Sequence, residues 1–261
     1  MARGEELTDE QWAVIEPHLP ELPRREDGRG RPWRENRGVM NGILWVLRSG
    51  ARWQDLPGRF PPYQTCHRRF QQWVKDGTLR RVLEALAEDL RTRGDLDLTE
   101  CFIDGTLVVA KKGGRRVGAT KRGKGTKLMV VADAHGLPVA ADAASATPHE
   151  VSLVRDTLQA RFTREPPGRL IGDRAYDSDP LDAELREQGV ELIAPHRSNR
   201  TKPATQDGRA LRRYRRRWKV ERLNAWLQNF RRIATRFEYH AENYLGFVHL
   251  GCIKILLRCY L

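Results

Sequence analysis

The chain has no C-x-x-C pair. Its four cysteines, Cys66, Cys101, Cys252 and Cys259, lie apart from any His/Cys cluster of zinc-finger spacing, which argues against structural zinc. Apolar runs stay far below the ~18 residues that a membrane helix needs, and the opening Met-Ala-Arg-Gly-Glu-Glu lacks the apolar stretch of a signal peptide. There is no internal repeat and no low-complexity tract. These absences predict a cytoplasmic protein with free thiols and no membrane partner.

Acid is scarce relative to base: 34 Asp and Glu stand against 47 Lys and Arg, a formal charge of +13. With a pI near 10.0, the expected partner is a polyanion, nucleic acid foremost, although ribosomal proteins, nucleases and regulators share such charge. The chain is nonetheless able to bury a core. Its 261 residues are 39% hydrophobic and 31% charged, with a mean hydropathy of −0.65, which suits a folded chain of one large domain or a small and a medium one.

The first hundred residues carry helical periodicity. Thr8 and Gln11 have the spacing of a reciprocal capping box, and Trp12, Ile15 and Leu19 share the following face. A polar, Gly/Pro-broken stretch over 21–32 reads as a surface loop. It precedes a second apolar pattern, Val39, Ile43, Leu44, Val46 and Leu47, that ends at Ser49-Gly50. A third helix, Tyr63 to Trp73, presents Gln64, Thr65, Arg68 and Arg69 on its polar side; a DNA recognition helix and an ordinary solvated helix both fit. Leu79, Val82, Leu83, Leu86 and Leu90 follow as another amphipathic run.

From about Leu98 the pattern changes to strands. Cys101-Phe102-Ile103 and Leu107-Val108-Val109 flank Asp104-Gly105-Thr106, and Lys127 to Ala132 with Leu137 to Ala141 read as a hairpin. Thr147-Pro148-His149-Glu150 predicts a capped helix start, Leu170-Ile171-Gly172 a strand, Asp179-Pro180 the next helix, and Val190 to Ala194 a short buried strand. An irregular segment from His196 to Gly208 precedes an expected long helix, Arg209 to Arg232, with ten basic residues and one acid, Glu221. The order is mixed α/β.

That lone acid invites two readings: charge relief by Arg217 or Arg222, or chemistry. Tyr214, Arg217, Trp218, Glu221, Ala225 and Gln228 share its helical face. Asp104 and Asp173 each follow an apolar strand segment, where either could cap a turn. Together with Glu221 they could form an oxygen site suited to Mg²⁺ or Mn²⁺, with two ions working on one phosphodiester. Lys111, Lys112, Arg115, Arg116, Lys121, Arg122 and Lys124 form a basic loop suited to phosphates or simply solvated. His135, His149 and His196 are accounted for by turn, helix-start and loop placement and are not assigned to metal.

Three segments resemble the DDE transposases of bacterial insertion sequences, of the insertion-sequence-five type. They are Phe102-Ile103-Asp104-Gly105-Thr106, Ile171-Gly172-Asp173-Arg174-Ala175-Tyr176-Asp177, and the Tyr214…Arg217…Glu221 spacing continued by Ala225-Trp226-Leu227-Gln228-Asn229-Phe230-Arg231-Arg232. Leu7 to Trp12, Gly50 to Pro57 and the Tyr63 to Trp73 helix resemble the family's DNA-binding region, so the likeness spans nearly the whole chain. One position departs: where many relatives carry Lys or Arg, seven residues past the glutamate, this chain has Gln228, with Arg231 or Arg232 as possible substitutes.

The resemblance implies a helical DNA-binding domain of helix-turn-helix type over 1–95. An RNase H-like domain over 96–261 would follow, with the basic loop at 111–126 and C-terminal helices. It places Asp104 on the first strand, Asp173 after the fourth and Glu221 on the following helix. These three are the implied catalytic and metal-binding residues, with two Mg²⁺ or Mn²⁺ ions per site. Implied DNA contacts are Gln64, Thr65, Arg68, Arg69, Lys111, Lys112, Lys127, Arg174, Tyr214, Arg217, Arg231 and Arg232. The implied activity is cut-and-paste cleavage and strand transfer on double-stranded DNA, at terminal inverted repeats and a target, by a homodimer associated with the nucleoid. A DNA-binding regulator without catalysis and a nuclease without strand transfer are the competing readings.

Overall fold

The computed structural model describes residues 6–21, 33–206 and 208–260, without the side chain of Arg209. Apart from Glu21, the expected loop at 21–32 lies outside these residues.

Among the described residues four α-helices come first: α1 (Asp9–Ile15), α2 (Asn36–Ser49), α3 (Tyr63–Lys75) and α4 (Thr78–Arg93). Thr8 caps α1 by accepting from the Gln11 amide at 3.2 Å. The other half of the expected box does not form, because the Gln11 side chain turns inward to the Leu257 carbonyl and Lys254. Gly50 and Gly77, at φ +71° and +74°, take the left-handed conformations that end α2 and start α4.

Among the described residues the sheet has seven strands: β1 (Cys101–Ala110), β2 (Gly118–Thr120), β3 (Gly123–Ala132), β4 (Pro138–Ser145), β5 (Arg169–Ile171), β6 (Glu191–Ile193) and β7 (Thr235–Arg236). β1 is one strand, not two segments around a turn at Asp104. It pairs antiparallel with β3 from Phe102 to Val109, so Asp104 sits inside the ladder, opposite Val130. β4 continues the antiparallel set on β3, and β2 closes against the start of β3, so part of the expected basic loop is a hairpin.

The other edge of β1 positions the site. β5 pairs in parallel only with Cys101 and Phe102, and β7 only with Val109 and Ala110. Between them this edge of β1 has no strand partner among the described residues, and Asp104 lies in that gap.

Glu150 begins a 3₁₀ turn, Glu150–Leu153, that leads into α5 (Val154–Gln159), with no side-chain cap. The expected cap at Thr147 does not form. Ser178 caps α6 (Asp179–Glu187), and Gly189 at φ +78° releases the chain into β6.

The expected long helix is broken into α7 (Gly208–Leu211), a 3₁₀ segment (Arg212–Arg216), α8 (Trp218–Gln228) and α9 (Arg231–Ala234). In a 3₁₀ turn residues three apart eclipse. Arg213 and Arg216 therefore meet the same buried Glu100, each at 2.5 Å. The second break falls at Phe230, whose extended ψ of 106° turns α9 toward α2.

α10 (Ala241–Leu256) returns to pack on α3 and α4, with Phe247 stacked on Phe70 at 4.4 Å. One apolar core runs from the first helices through the sheet to this last helix.

Candidate active site

Asp104 is half-buried on β1, and α8 crosses β1 above it. α8 and the residue just before it supply donors to both carboxylate oxygens: Arg217 Nη2 donates to Oδ1 at 2.8 Å, and Asn224 Nδ2 donates to Oδ2 at 2.9 Å. The same face continues to Gln228, whose Nε2 donates to Thr106 Oγ1 at 3.3 Å.

Arg217 also reaches the second acid, with Nη1 at 3.6 Å from Asp173 Oδ2. Asp173 follows the end of β5, and its Oδ1 accepts from the Ala175 amide at 2.7 Å, so the turn-cap reading holds for Asp173 and not for Asp104. Because β2 adds a strand, Asp173 follows the fifth strand rather than the fourth. α6, β6 and α7 then intervene before the Glu221 helix.

Glu221 lies on α8 between Arg217 and Asn224, and its side chain is exposed. It makes no ion pair among the described residues. Arg217 is committed to the aspartates, while Arg222 donates to the His135 carbonyl and stacks on Trp218 and Trp226, each at 4.8 Å. Charge relief by either arginine is therefore not what this structure shows.

A fourth carboxylate, Glu150, enters the site. Tyr176, fully buried, donates its hydroxyl to Glu150 Oε2 at 2.9 Å. The Glu150 head lies over Gly105, where a Cβ would fall 2.7 Å from Glu150 Cδ and 2.9 Å from Met129 Sδ. Any side chain at 105 would push aside the Glu150 carboxylate or the Met129 thioether. In the sequence Glu150 reads as a helix-start residue, and Gly105 beside Asp104 is the mark of this close approach.

Burial, opposed by Arg217 and reinforced by Glu150, Asp173 and Glu221, pushes the Asp104 carboxyl up to about 6. Burial would lower the Arg217 guanidinium, but Asp104, Tyr214 and Asp173 outweigh it and raise it above its ordinary value. Tyr176 is raised first by burial and then by Glu150, so its hydroxyl stays a donor.

The oxygen donors suit a hard divalent ion, but their arrangement does not. Among the described residues no three of His, Cys, Asp and Glu stand close enough to hold a metal ion. The cation between Asp104 and Asp173 is the Arg217 guanidinium.

The expected DNA contacts divide by exposure. Gln64 and Arg68 on α3 are exposed, Thr65 is half-buried, and Lys111, Lys112, Arg174 and Arg231 are exposed. Tyr214 is half-buried, with Arg217 over its ring at 5.7 Å. Three assignments are corrected. Arg69 is buried, donates to Asn36 at 2.5 Å and lies over Trp33 and Trp73. Lys127 is buried with its ammonium on the Pro148 carbonyl at 2.6 Å. Arg232 is buried against Glu238 at 3.2 Å, which leaves Arg231 as the exposed candidate near Gln228. The packed sheet and helix interiors consume these cations.

A residue that sequence reading did not single out holds the basic loop. Arg236 is fully buried and donates to the carbonyls of Arg115, Arg116, Glu238 and Tyr239 and to Thr126 Oγ1.

A mixed sheet with β3, β1, β5 and β6 side by side, flanked by helices and preceded by a helical region, defines an α/β protein of RNase H-like fold. A solved structure titled "Cryo-EM structure of piggyBac transposase synaptic complex with hairpin DNA" is similar in fold. Its TM-score is 0.52 at 12% identity, over 96% of this chain and 71% of that one. Residues 96–253 match the family described as "Transposase DDE domain", and residues 7–83 match "Putative transposase of IS4/5 family". The chain belongs to the DDE transposases of insertion sequences.

Curated relatives agree. An "Insertion element IS402 uncharacterized 16.2 kDa protein" of Burkholderia cepacia is 38% identical over 117 residues, 44% of this chain and 80% of that protein. A "Putative transposase for insertion sequence element IS6501" of Brucella ovis is 33% identical over 135 residues, 51% of this chain and 98% of that protein. Among the described residues no helix is long and apolar enough to cross a membrane.

Proposed function

We propose that this chain binds the terminal inverted repeats of an insertion sequence and catalyses strand cleavage and transfer, with Asp104, Asp173 and Glu221 as its acids. The observation that carries this reading is the gap in the β1 edge. There Asp104 is flanked by Asp173 and covered by the Glu221 helix, in a chain of the DDE family.

Each group then has a task. A carboxyl pushed up to about 6 accepts a proton near neutral pH more readily than an ordinary aspartate. That suits Asp104 to take the proton from a water attacking phosphorus, or from a 3′-hydroxyl in the joining step. Arg174 follows Asp173 directly and is exposed to receive a phosphate. Lys111 and Lys112, just past the far end of β1, would hold duplex about 25 Å from Asp104 at the usual strand rise. Gln64 and Arg68 make α3 the face for reading the repeat, within a DNA-binding region over 1–95 that precedes the catalytic part over 96–261. Two copies would bridge two ends. DDE transposase domains generally use divalent metal ions, and the expected pair of Mg²⁺ or Mn²⁺ ions is not accommodated by the acids as they stand.

The test is a labelled duplex carrying the element's ends, incubated with the full chain, Mg²⁺ and a target plasmid. Cleavage followed by joining to the plasmid is expected. Cleavage without joining would identify a nuclease, and end binding without cleavage a regulator; either result overturns the proposal.

A further inference from the structure

We propose that Asp177 and Arg197 are positioning residues that latch the turn carrying Asp173, with the loop after β6 as the strap. The inference rests on the transposase reading, because it concerns how one acid of that site is held. The three acids differ in what fixes their backbone. Asp104 sits in the ladder of β1 with β3, and Glu221 sits in α8. Asp173 has neither kind of support: it follows a three-residue strand and opens a 3₁₀ turn, Arg174–Tyr176, that ends at Asp177. Tyr176 anchors the inner side of this turn through its bond to Glu150. Arg174 and Ala175 form the exposed side, which needs a support of its own if Asp173 is to keep its place beside Asp104.

The neighbouring strand supplies it. β5 and β6 run in parallel, so the loop after β6 leaves the sheet beside the Asp173 turn. From that loop Arg197 reaches back: its Nε donates to the Arg174 carbonyl at 3.2 Å and its Nη2 to the Ala175 carbonyl at 2.9 Å. The Arg197 backbone amide donates to Asp177 Oδ2 at 2.8 Å. Ala175 in turn donates its amide to Asp173 Oδ1 at 2.7 Å. Asp173, Ala175, Arg197 and Asp177 thus form one circuit of hydrogen bonds, closed through the backbone of the turn.

Asp177 is the fixed end of the latch. Its side chain is 8% exposed, and its Oδ1 also meets His196 Nδ1 at 2.9 Å and Arg200 Nη1 at 3.1 Å. The Thr205 amide donates to His196 Nε2 at 3.1 Å, so a neutral imidazole carries its proton on Nδ1 and donates it to Asp177. Burial would push the Asp177 carboxyl up, but the Arg197 amide, His196 and Arg200 outweigh it and hold it below its ordinary value. Arg200 continues to Asp179 at 2.8 Å and to the Pro203 carbonyl, which ties the strap to the start of α6. An aspartate that only caps accepts an amide of its own turn, as Asp173 does. Asp177 instead takes its donors from the strap.

The measurement is the rate of strand cleavage by the full chain at saturating end duplex, set beside its affinity for that duplex. Asp177→Asn and Arg197→Met should each slow cleavage about a hundredfold, the loss that roughly 1 Å of misplacement brings, with end affinity as in the wild type. Arg197→Lys should recover part of the rate, since an ammonium can reach one of the two carbonyls. The double variant should be no slower than the slower single one, because both changes break the same circuit. Lys202→Ala, which removes only an exposed pair with Asp179, should cleave like the wild type. Hydrogen exchange in the absence of DNA gives a second readout: it should quicken over 173–177 in both variants and stay unchanged in β1 and β3.

Cleavage by Arg197→Met at the wild-type rate overturns the proposal. So does a loss confined to end affinity, which would make Arg197 a DNA contact, and so does unchanged exchange over 173–177. Exchange that quickens in β1 and β3 as well would mark a general loosening and overturn it too. Should Asp177→Asn fail to fold, by circular dichroism, Arg197→Met at its exposed position decides on the same criteria. Absence of cleavage by the wild type removes the transposase reading, and exchange over 173–177 then decides the latch by itself.

Discussion

Asp104 is a carboxylate under strain from its surroundings. Its folded-state value of about 6 lies above the ~3.9 of an unfolded aspartate, so the folded chain binds this proton more tightly. The group's contribution to stability is complete below about pH 4 and is lost as pH rises through about 6. Asp104→Asn removes this titration. The melting-temperature difference, variant minus wild type, should therefore move in the variant's favour between pH 4 and pH 7, as differential scanning fluorimetry would read. A flat difference would contradict the burial and repulsion assigned to Asp104. Glu150 adds to that repulsion and keeps its Tyr176 bond if made neutral. Glu150→Gln should accordingly stabilise the fold at pH 8 by about 1 kcal/mol, measured by urea denaturation.

At the level of elements, β1 and α8 set the site, and they differ in how far the sequence foretold them. Arg217 and Glu221 do fall beside Asp104, although Tyr214 lies in the 3₁₀ segment before α8 rather than on the same helix face, and the apolar Cys101-Phe102-Ile103 opens β1. The full length of β1 was not legible, because Asp104-Gly105 imitates a turn in one dimension. Only pairing with β3, and the seat of Glu150 over Gly105, explains an Asp-Gly pair inside a strand. The break before α8 was hidden for a similar reason: Glu100, whose carboxylate gathers Arg213 and Arg216, is more than a hundred residues away in the chain. Glu100→Ala should loosen the entry to α8. The expected cost is about 1–3 kcal/mol of stability, with a fall in strand cleavage, checked by thermal melting and the end-cleavage assay. Likewise Arg69, Lys127 and Arg232 could not be told from surface cations before their buried partners Asn36, Pro148 and Glu238 were known.

For the whole molecule, the excess of base over acid and the exposed cations of α3, the β1 end and the Asp173 turn predict salt-sensitive DNA binding. Lys111 and Lys112 replaced together by Ala should make the plot of log affinity against log salt shallower by about 1.8, two phosphate contacts at B-DNA's usual slope. An unchanged slope, measured by fluorescence anisotropy, would remove them from the interface. The central claim is that Glu221 belongs to chemistry rather than to charge balance, because Arg217 and Arg222 are committed elsewhere. The most direct test compares wild type and Glu221→Gln on a labelled duplex bearing the element's own ends, with Mg²⁺ or with EDTA. Mg²⁺-dependent cleavage by the wild type, lost in Glu221→Gln while end binding persists, is the predicted result; equal cutting by both proteins would contradict it.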